Sequence, residues 1–309
     1  MIIYLDINIF RYVAYSELDL QLPTDSVPVF SNVHLNEMAR TGNRDALDGI
    51  ATLSACEIFE ELGEHFRKTG RVLLRNFTDP HDRLTEHLAA IGSSNDLQGI
   101  IAEQLIRLFG ANNFDELQST PEAFLRHINE VSRQVPEPDR SQIMSKAEQA
   151  AELSHEAIKT HLSEQLPIDR TRSAFGLTSE HRRSIEQADD PIQEAWAAIE
   201  PQSPGITKDQ LFGKAPYSFA EQLDHSQASS VAGTHATLNL LGLYPDRGLT
   251  KRDKVGNILS DGQHIGMASY CDLFITSDKQ TASKARAIFK YWDTGTGVMQ
   301  LVPGKTQSK

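Results

Sequence analysis

Residues 261–285 read DGQHIGMASYCDLFITSDKQTASKA, and the periodicity changes within them. Asp261 opens a helix-like stretch on which His264 and Ile265 share its face. DLFIT at 272–276 is a short apolar run of strand type, and Asp278 follows it directly. Asp272, between the two patterns, reads as a cap or terminator of the helix rather than as a ligand.

The opposite end of the chain repeats the theme. IIYL at 2–5 is brief and uninterrupted, as a strand buried on both faces should be, and it runs into Asp6. Asn8 would point the same way as Asp6 if the strand continued. VPVF at 27–30 is a second run, followed by Ser31 as a helix N-cap and by HLNEMAR, which carries Glu37. The stretch ending LVP at 301–303, after GTGV, is a fourth strand candidate. In an open parallel sheet the carboxyl ends of strands face the ligand crevice. Asp6, Glu37, Asp261 and Asp278 each occupy such an end or a helix flanking one.

From about Arg44 to Gln222 the chain is rich in strong helix formers, with helical spacing in Leu47, Ile50 and Leu53, in IIAEQLIRLF at 100–109, and around Trp196. Breaks fall at 135–139, 189–191 and 201–205, and no fixed-period repeat is present. The expected organisation is a discontinuous α/β core, residues 1–43 and 226–309, interrupted by an all-helical insertion over 44–225.

The chain has 309 residues, 39% hydrophobic and 23% charged, with a net charge of −12. That is a globular composition, and no apolar run reaches the ~20 residues of a membrane helix. The opening MIIYLDINIF has no basic region before its apolar stretch, so it does not read as a signal peptide. Two cysteines, Cys56 and Cys271, form neither a four-thiolate metal site nor a disulfide framework, and the cytoplasm is the expected compartment. Residues 251–309 carry nine Lys or Arg against five Asp, while residues 1–250 carry −16. A phosphate-bearing partner would favour the C-terminal end, where Lys279, Arg286 and Lys290 recur at helical spacing; an ordinary solvated face reads equally well.

Four acids drawn together are unfavourable unless cations share their site. Oxygen ligands without cysteine favour Mg2+ or Mn2+ over zinc. Such ions lower the pKa of a bound water and stabilise the oxygens of a phosphodiester displacement. Taken singly, each acid is equally readable as a cap or a surface group, and His264 as a satisfied core histidine. His81 and His87 lack the spacing of a zinc helix, and neither a P-loop, a dinucleotide fingerprint nor a nucleophile elbow is present.

The sequence resembles the PIN-like nuclease family in three places. YLDINIF looks like the family's first strand running into Asp-x-Asn. FSNVHLNEMAR resembles its second strand and the helix bearing its second acid. DGQHIGMASYCDLFITSDKQTASKA is similar to its third-acid helix and the strand ending Thr-x-Asp before a basic residue. The resemblance covers about residues 1–42 and 250–303; the central segment has no counterpart in the compact toxin-type members. It implies a three-layer α/β/α sandwich around a central parallel sheet, and a Mg2+- or Mn2+-dependent nuclease, usually acting on RNA. Asp6, Glu37, Asp261 and Asp278 would be the catalytic and metal-binding acids. Asn8, His264, Thr276, Ser277 and Lys279 would orient them or touch the substrate. An inhibitor or defence-system protein and a second copy of the chain are the protein partners it suggests, with no membrane.

Two other functions compete. A haloacid-dehalogenase-type phosphatase also opens on a strand into Asp, but it needs a second Asp where this chain has Asn8. A scaffold or regulatory binding protein would use the insertion as its working surface.

Overall fold

The computed structural model describes residues 1–63, 68–76, 78–91, 125–126, 128–129, 132–134, 136–163, 172–215, 226–246 and 251–302. Its elements in chain order are β1 (Ile2–Leu5), α1 (Ile7–Ala14), β2 (Val27–Ser31), α2 (Asn32–Thr41), α3 (Ala46–Thr52), β3 (Cys56–Leu62), β4 (Lys68–Arg75) and α4 (Pro80–Ile91). After these come α5 (Asp139–Ser163), α6 (Ser179–Gln187), α7 (Pro191–Ile199), α8 (Lys208–Leu211), α9 (Gln227–Leu241), α10 (Arg252–Ala268), β5 (Leu273–Thr276), α11 (Lys279–Trp292) and β6 (Gly297–Gln300).

The protein is α/β, with six strands in the order β4-β3-β2-β1-β5-β6. β1 lies in the middle, parallel to β2 on one side and to β5 on the other, with Tyr4 opposite both Val29 and Phe274. The chain builds outward from β1 in one direction through β2 and β3, then returns to the other side with β5 and β6. The point between β1 and β5 where the direction switches is where an open sheet forms its crevice.

Alternation along β1 feeds a core on each face. Ile3 and Leu5 join Phe10, Phe30, Leu47, Ile50 and Ile275 in one cluster. Tyr4 joins Val29, Ile58, Trp196, Leu238, Ile265, Phe274 and Ile288 in the other. Each large apolar side chain withdrawn from water contributes about 1.5–3 kcal/mol, so the uninterrupted run IIYL is explained by two-sided burial.

Two expectations are corrected. The sheet is mixed rather than wholly parallel, because β4 runs antiparallel to β3. Both strands fall inside the segment expected to be an all-helical insertion. Glu57 on β3 is buried, with Arg83 of α4 donating to both its carboxylate oxygens at 2.8 and 2.9 Å and Arg75 of β4 at 3.1 Å. The expected boundaries also shift. Met1–Ala90, Phe175–Asp246 and Leu259–Lys309 form one compact unit, so α3, β3, β4, α4, α6 and α7 belong with the sheet.

The second unit is Ile91–Ala174 with Arg247–Ile258. In it α5 is anchored by Arg140, which donates to Asn129 Oδ1 at 2.9 Å, while the Ser132 hydroxyl meets Met144 Sδ at 3.7 Å. The helix expected over 100–109 lies outside the described residues. Among the described residues no helix is long and apolar enough to cross a membrane.

Candidate functional site

Asp6 closes β1 and at once becomes the N-cap of α1: its Oδ1 accepts from the Ile7 amide at 2.8 Å. The strand therefore does not continue to Asn8. That residue sits in the first turn of α1 and accepts from Arg11 at 3.2 Å. The other Asp6 oxygen accepts from the Thr276 hydroxyl at 2.8 Å, across 270 residues of sequence. Thr276 Oγ1 in turn accepts from the Asp278 amide at 3.1 Å. The carboxyl ends of β1 and β5 are thus joined through one threonine. Asp278 itself is exposed and caps α11, accepting from the Thr281 amide at 2.7 Å.

Ser31 ends β2 and caps α2 in a reciprocal pattern: its hydroxyl accepts from Val33 N–H, and its own N–H donates to His34 Nδ1 at 3.1 Å. With Nδ1 accepting, His34 Nε2 carries the proton and donates to the Leu5 carbonyl at 2.8 Å. The Tyr4 hydroxyl lies 2.8 Å from Ser31 Oγ and 2.9 Å from His264 Nδ1. His264 Nε2 faces Glu37 Oε2 at 3.4 Å. A carboxylate only accepts, so the network assigns Nε2 as donor, Tyr4 as donor to Nδ1, and Ser31 as donor to Tyr4. Four elements thereby meet at one buried chain of polar groups, with the His34 and His264 rings 4.5 Å apart. Arg11 approaches the other Glu37 oxygen at 3.6 Å.

Charge is unevenly compensated here. Burial raises the Asp6 pKa, His264 and the Thr276 hydrogen bond oppose the rise, and the Glu37 charge adds to it. Asp261 on α10 is half-buried as a residue, and its carboxylate makes no hydrogen bond or ion pair among the described residues. Withdrawal from water pushes its pKa well above the usual range, reinforced by the charges of Asp6 and Asp246 and opposed by Lys284. Burial would also raise Glu37, but the His264 hydrogen bond and the charges of His264, Arg11 and Arg40 outweigh it and hold its pKa low. Burial keeps His34 neutral, its pKa pushed far below the ordinary value.

Of the residues singled out in the sequence, Asp6, Glu37, Asp261, His264 and Thr276 therefore share one environment at the β1–β5 crevice. Asp278 adjoins it through Thr276. Ser277 is half-buried and Lys279 exposed, both beside Asp278 in the chain. Asp272 does not cap a helix; its carboxylate accepts from the Ile2 amide at 2.6 Å and pins the start of β1. Lys290 is committed to Asp189 at 2.6 Å. Sequence reasoning passes over Tyr4, His34, Arg11 and Lys284; only His34, three residues after a cap serine, carries a local signal.

Among the described residues no three His, Cys, Asp or Glu side chains are grouped so as to cage a metal ion. The donors fit a hard cation in another respect: two carboxylates carry unrelieved negative charge, and Asp261 has no partner. Mg2+ is ordinarily held by one or two carboxylates and several waters rather than by an all-protein cage. No family model matches the chain, and neither a curated protein nor a solved structure matches it.

Proposed function

We propose that the protein is a metal-dependent nuclease, with RNA as its substrate and Mg2+ or Mn2+ as its cation, built on a PIN-like α/β/α arrangement. The observation that carries this reading is the pairing of Asp6 with Asp261, two acids from opposite ends of the chain whose ionised forms are both disfavoured by burial and by neighbouring negative charge. A cation between them would remove that penalty.

Asp6 and Asp261 would hold the cation, with Glu37 beside them and Asp278 at the rim. When bound, the cation supplies an acidified water and neutralises charge on the phosphodiester. The chain's own residues prepare that chemistry. Thr276 fixes one Asp6 oxygen and the α1 backbone the other, so this carboxylate cannot rotate freely. His264, aligned by Tyr4, restrains Glu37. Lys279, exposed in the first turn of α11, would meet the phosphate backbone.

The test is incubation of the purified chain with labelled single-stranded RNA, single-stranded DNA and duplex DNA, each with Mn2+, Mg2+ or excess chelator. RNA should be cleaved with either ion and left intact with chelator. Cleavage insensitive to chelator, or none of any substrate, would count against the proposal.

A further inference from the structure

Lys284 lies on α11 and is completely buried. An ammonium has three protons to donate, and here all three have acceptors: an Asp246 carboxylate oxygen, Asn239 Oδ1 at 2.9 Å and His235 Nε2 at 3.3 Å. Asn239 also locks Asp246 in place, donating to its Oδ2 at 2.9 Å and accepting from its amide at 3.2 Å. The cage reaches the acidic centre through His235. A Cβ on Gly262 would lie 2.8 Å from His235 Nδ1, so the imidazole fills the space beside the residue that follows Asp261.

A fully satisfied lysine in a core is rare and costly. The fold needs no such pair for packing alone, since an apolar side chain of the same length would fill the volume. What the pair adds is charge. Lys284 acts favourably on both Asp261 and Asp278, and Asp246 acts unfavourably on Asp261.

We infer that Lys284 is a tethered cation of the acidic centre, its ammonium standing in for part of the positive charge a bound ion would supply, with Asp246 as the partner that limits how much of that charge Asp261 feels. The inference rests on the reading of Asp6 and Asp261 as cation ligands. It makes Lys284 and Asp246 positioning residues that set cation affinity without touching the cation. Removing the Asp246 charge exposes Asp261 to the full ammonium and should weaken cation uptake. Removing both charges should restore it.

The experiment is calorimetric titration of Mn2+ into the full chain at about pH 7.5, where unperturbed carboxylates are ionised. Wild type, Asp246→Asn and the double variant Lys284→Met/Asp246→Asn are compared, each checked for folding by circular dichroism. The double variant leaves no unpaired buried charge, so it keeps the comparison usable where Lys284→Met alone would not fold. Asp246→Asn should bind Mn2+ about tenfold more weakly than wild type, and the double variant should return to within about threefold of it. A purely structural role predicts instead that the second substitution deepens the loss. If wild type binds Mn2+ but Asp246→Asn is not weakened, or the double variant stays as weak, the inference is overturned and the metal reading stands. If wild type takes up no Mn2+, the metal reading falls and this inference with it.

Discussion

The Tyr4 hydroxyl stands 2.9 Å from His264 Nδ1, joining the central strand to α10 across 260 residues of sequence. Tyr4 is completely buried, and burial drives its pKa far upward, so it stays protonated as a donor. Tyr4→Phe keeps the ring and removes that donor, leaving His264 Nδ1 without its proton donor. The expected cost is about 1–3 kcal/mol of stability, measured as a lower urea midpoint with an unchanged slope. No change in midpoint would mean the hydroxyl is not the His264 donor.

Asp261→Asn should stabilise the metal-free protein at neutral pH. The folded-state pKa of Asp261 is raised, so its contribution is fully present below the unfolded value of 3.8 and is lost as pH rises through the folded value. At neutral pH wild type bears that loss, about 1.4 kcal/mol for each pH unit separating the folded value from the unfolded one, and the amide removes it. Thermal melts in chelator should show the variant several degrees more stable, with the difference vanishing at low pH. A variant less stable than wild type at neutral pH would show that Asp261 is compensated after all.

His34 gives the opposite sign. Its folded pKa lies well below 6.5, so its contribution is present above that value and is lost as pH falls toward the folded one. Wild type should therefore lose about 1.4 kcal/mol per pH unit from this group below about pH 6.5. His34→Gln keeps an acceptor for the α2 cap and should flatten that slope. Parallel stability curves for the two proteins would contradict the assignment.

Gly49 on α3 has no room for a side chain: a Cβ there would stand 2.0 Å from the Phe10 carbonyl oxygen of α1. Gly49→Ala must push the two helices apart and should cost about 3 kcal/mol or more, in the range of severe overpacking. A denaturation midpoint within error of wild type would mean that the helices move apart freely.

The parts legible in the sequence are those governed by local pattern. IIYL and LFIT are short and apolar because both faces of β1 and β5 are covered, and Ser31 announces α2 by its cap chemistry. β3 and β4 read as helix in the sequence because CEIFEEL and KTGRVLLR carry the Glu, Lys and Arg of a helical surface. In the fold those charges line the edge of a sheet, with buried Glu57 answered by two arginines. Asn8 reads as a strand residue because nothing in YLDIN marks the strand's end at Leu5; the Asp6 cap does so only once α1 is seen to start. Lys284 reads as surface charge because lysine is almost never fully buried. Its cage comes from Asn239, Asp246 and His235, remote in sequence and invisible to any local pattern.

If Asp6 and Asp261 together form a cation-dependent phosphodiesterase centre, neither carboxylate can be replaced by an amide without loss of the chemistry. The most direct test is the rate of single-stranded RNA cleavage at saturating Mn2+ by wild type, Asp6→Asn and Asp261→Asn, all shown to be folded. Each amide should lower the rate by at least about a hundredfold, while Asp261→Asn melts no lower than wild type. RNA cleavage retained at the wild-type rate by either folded variant would contradict this assignment.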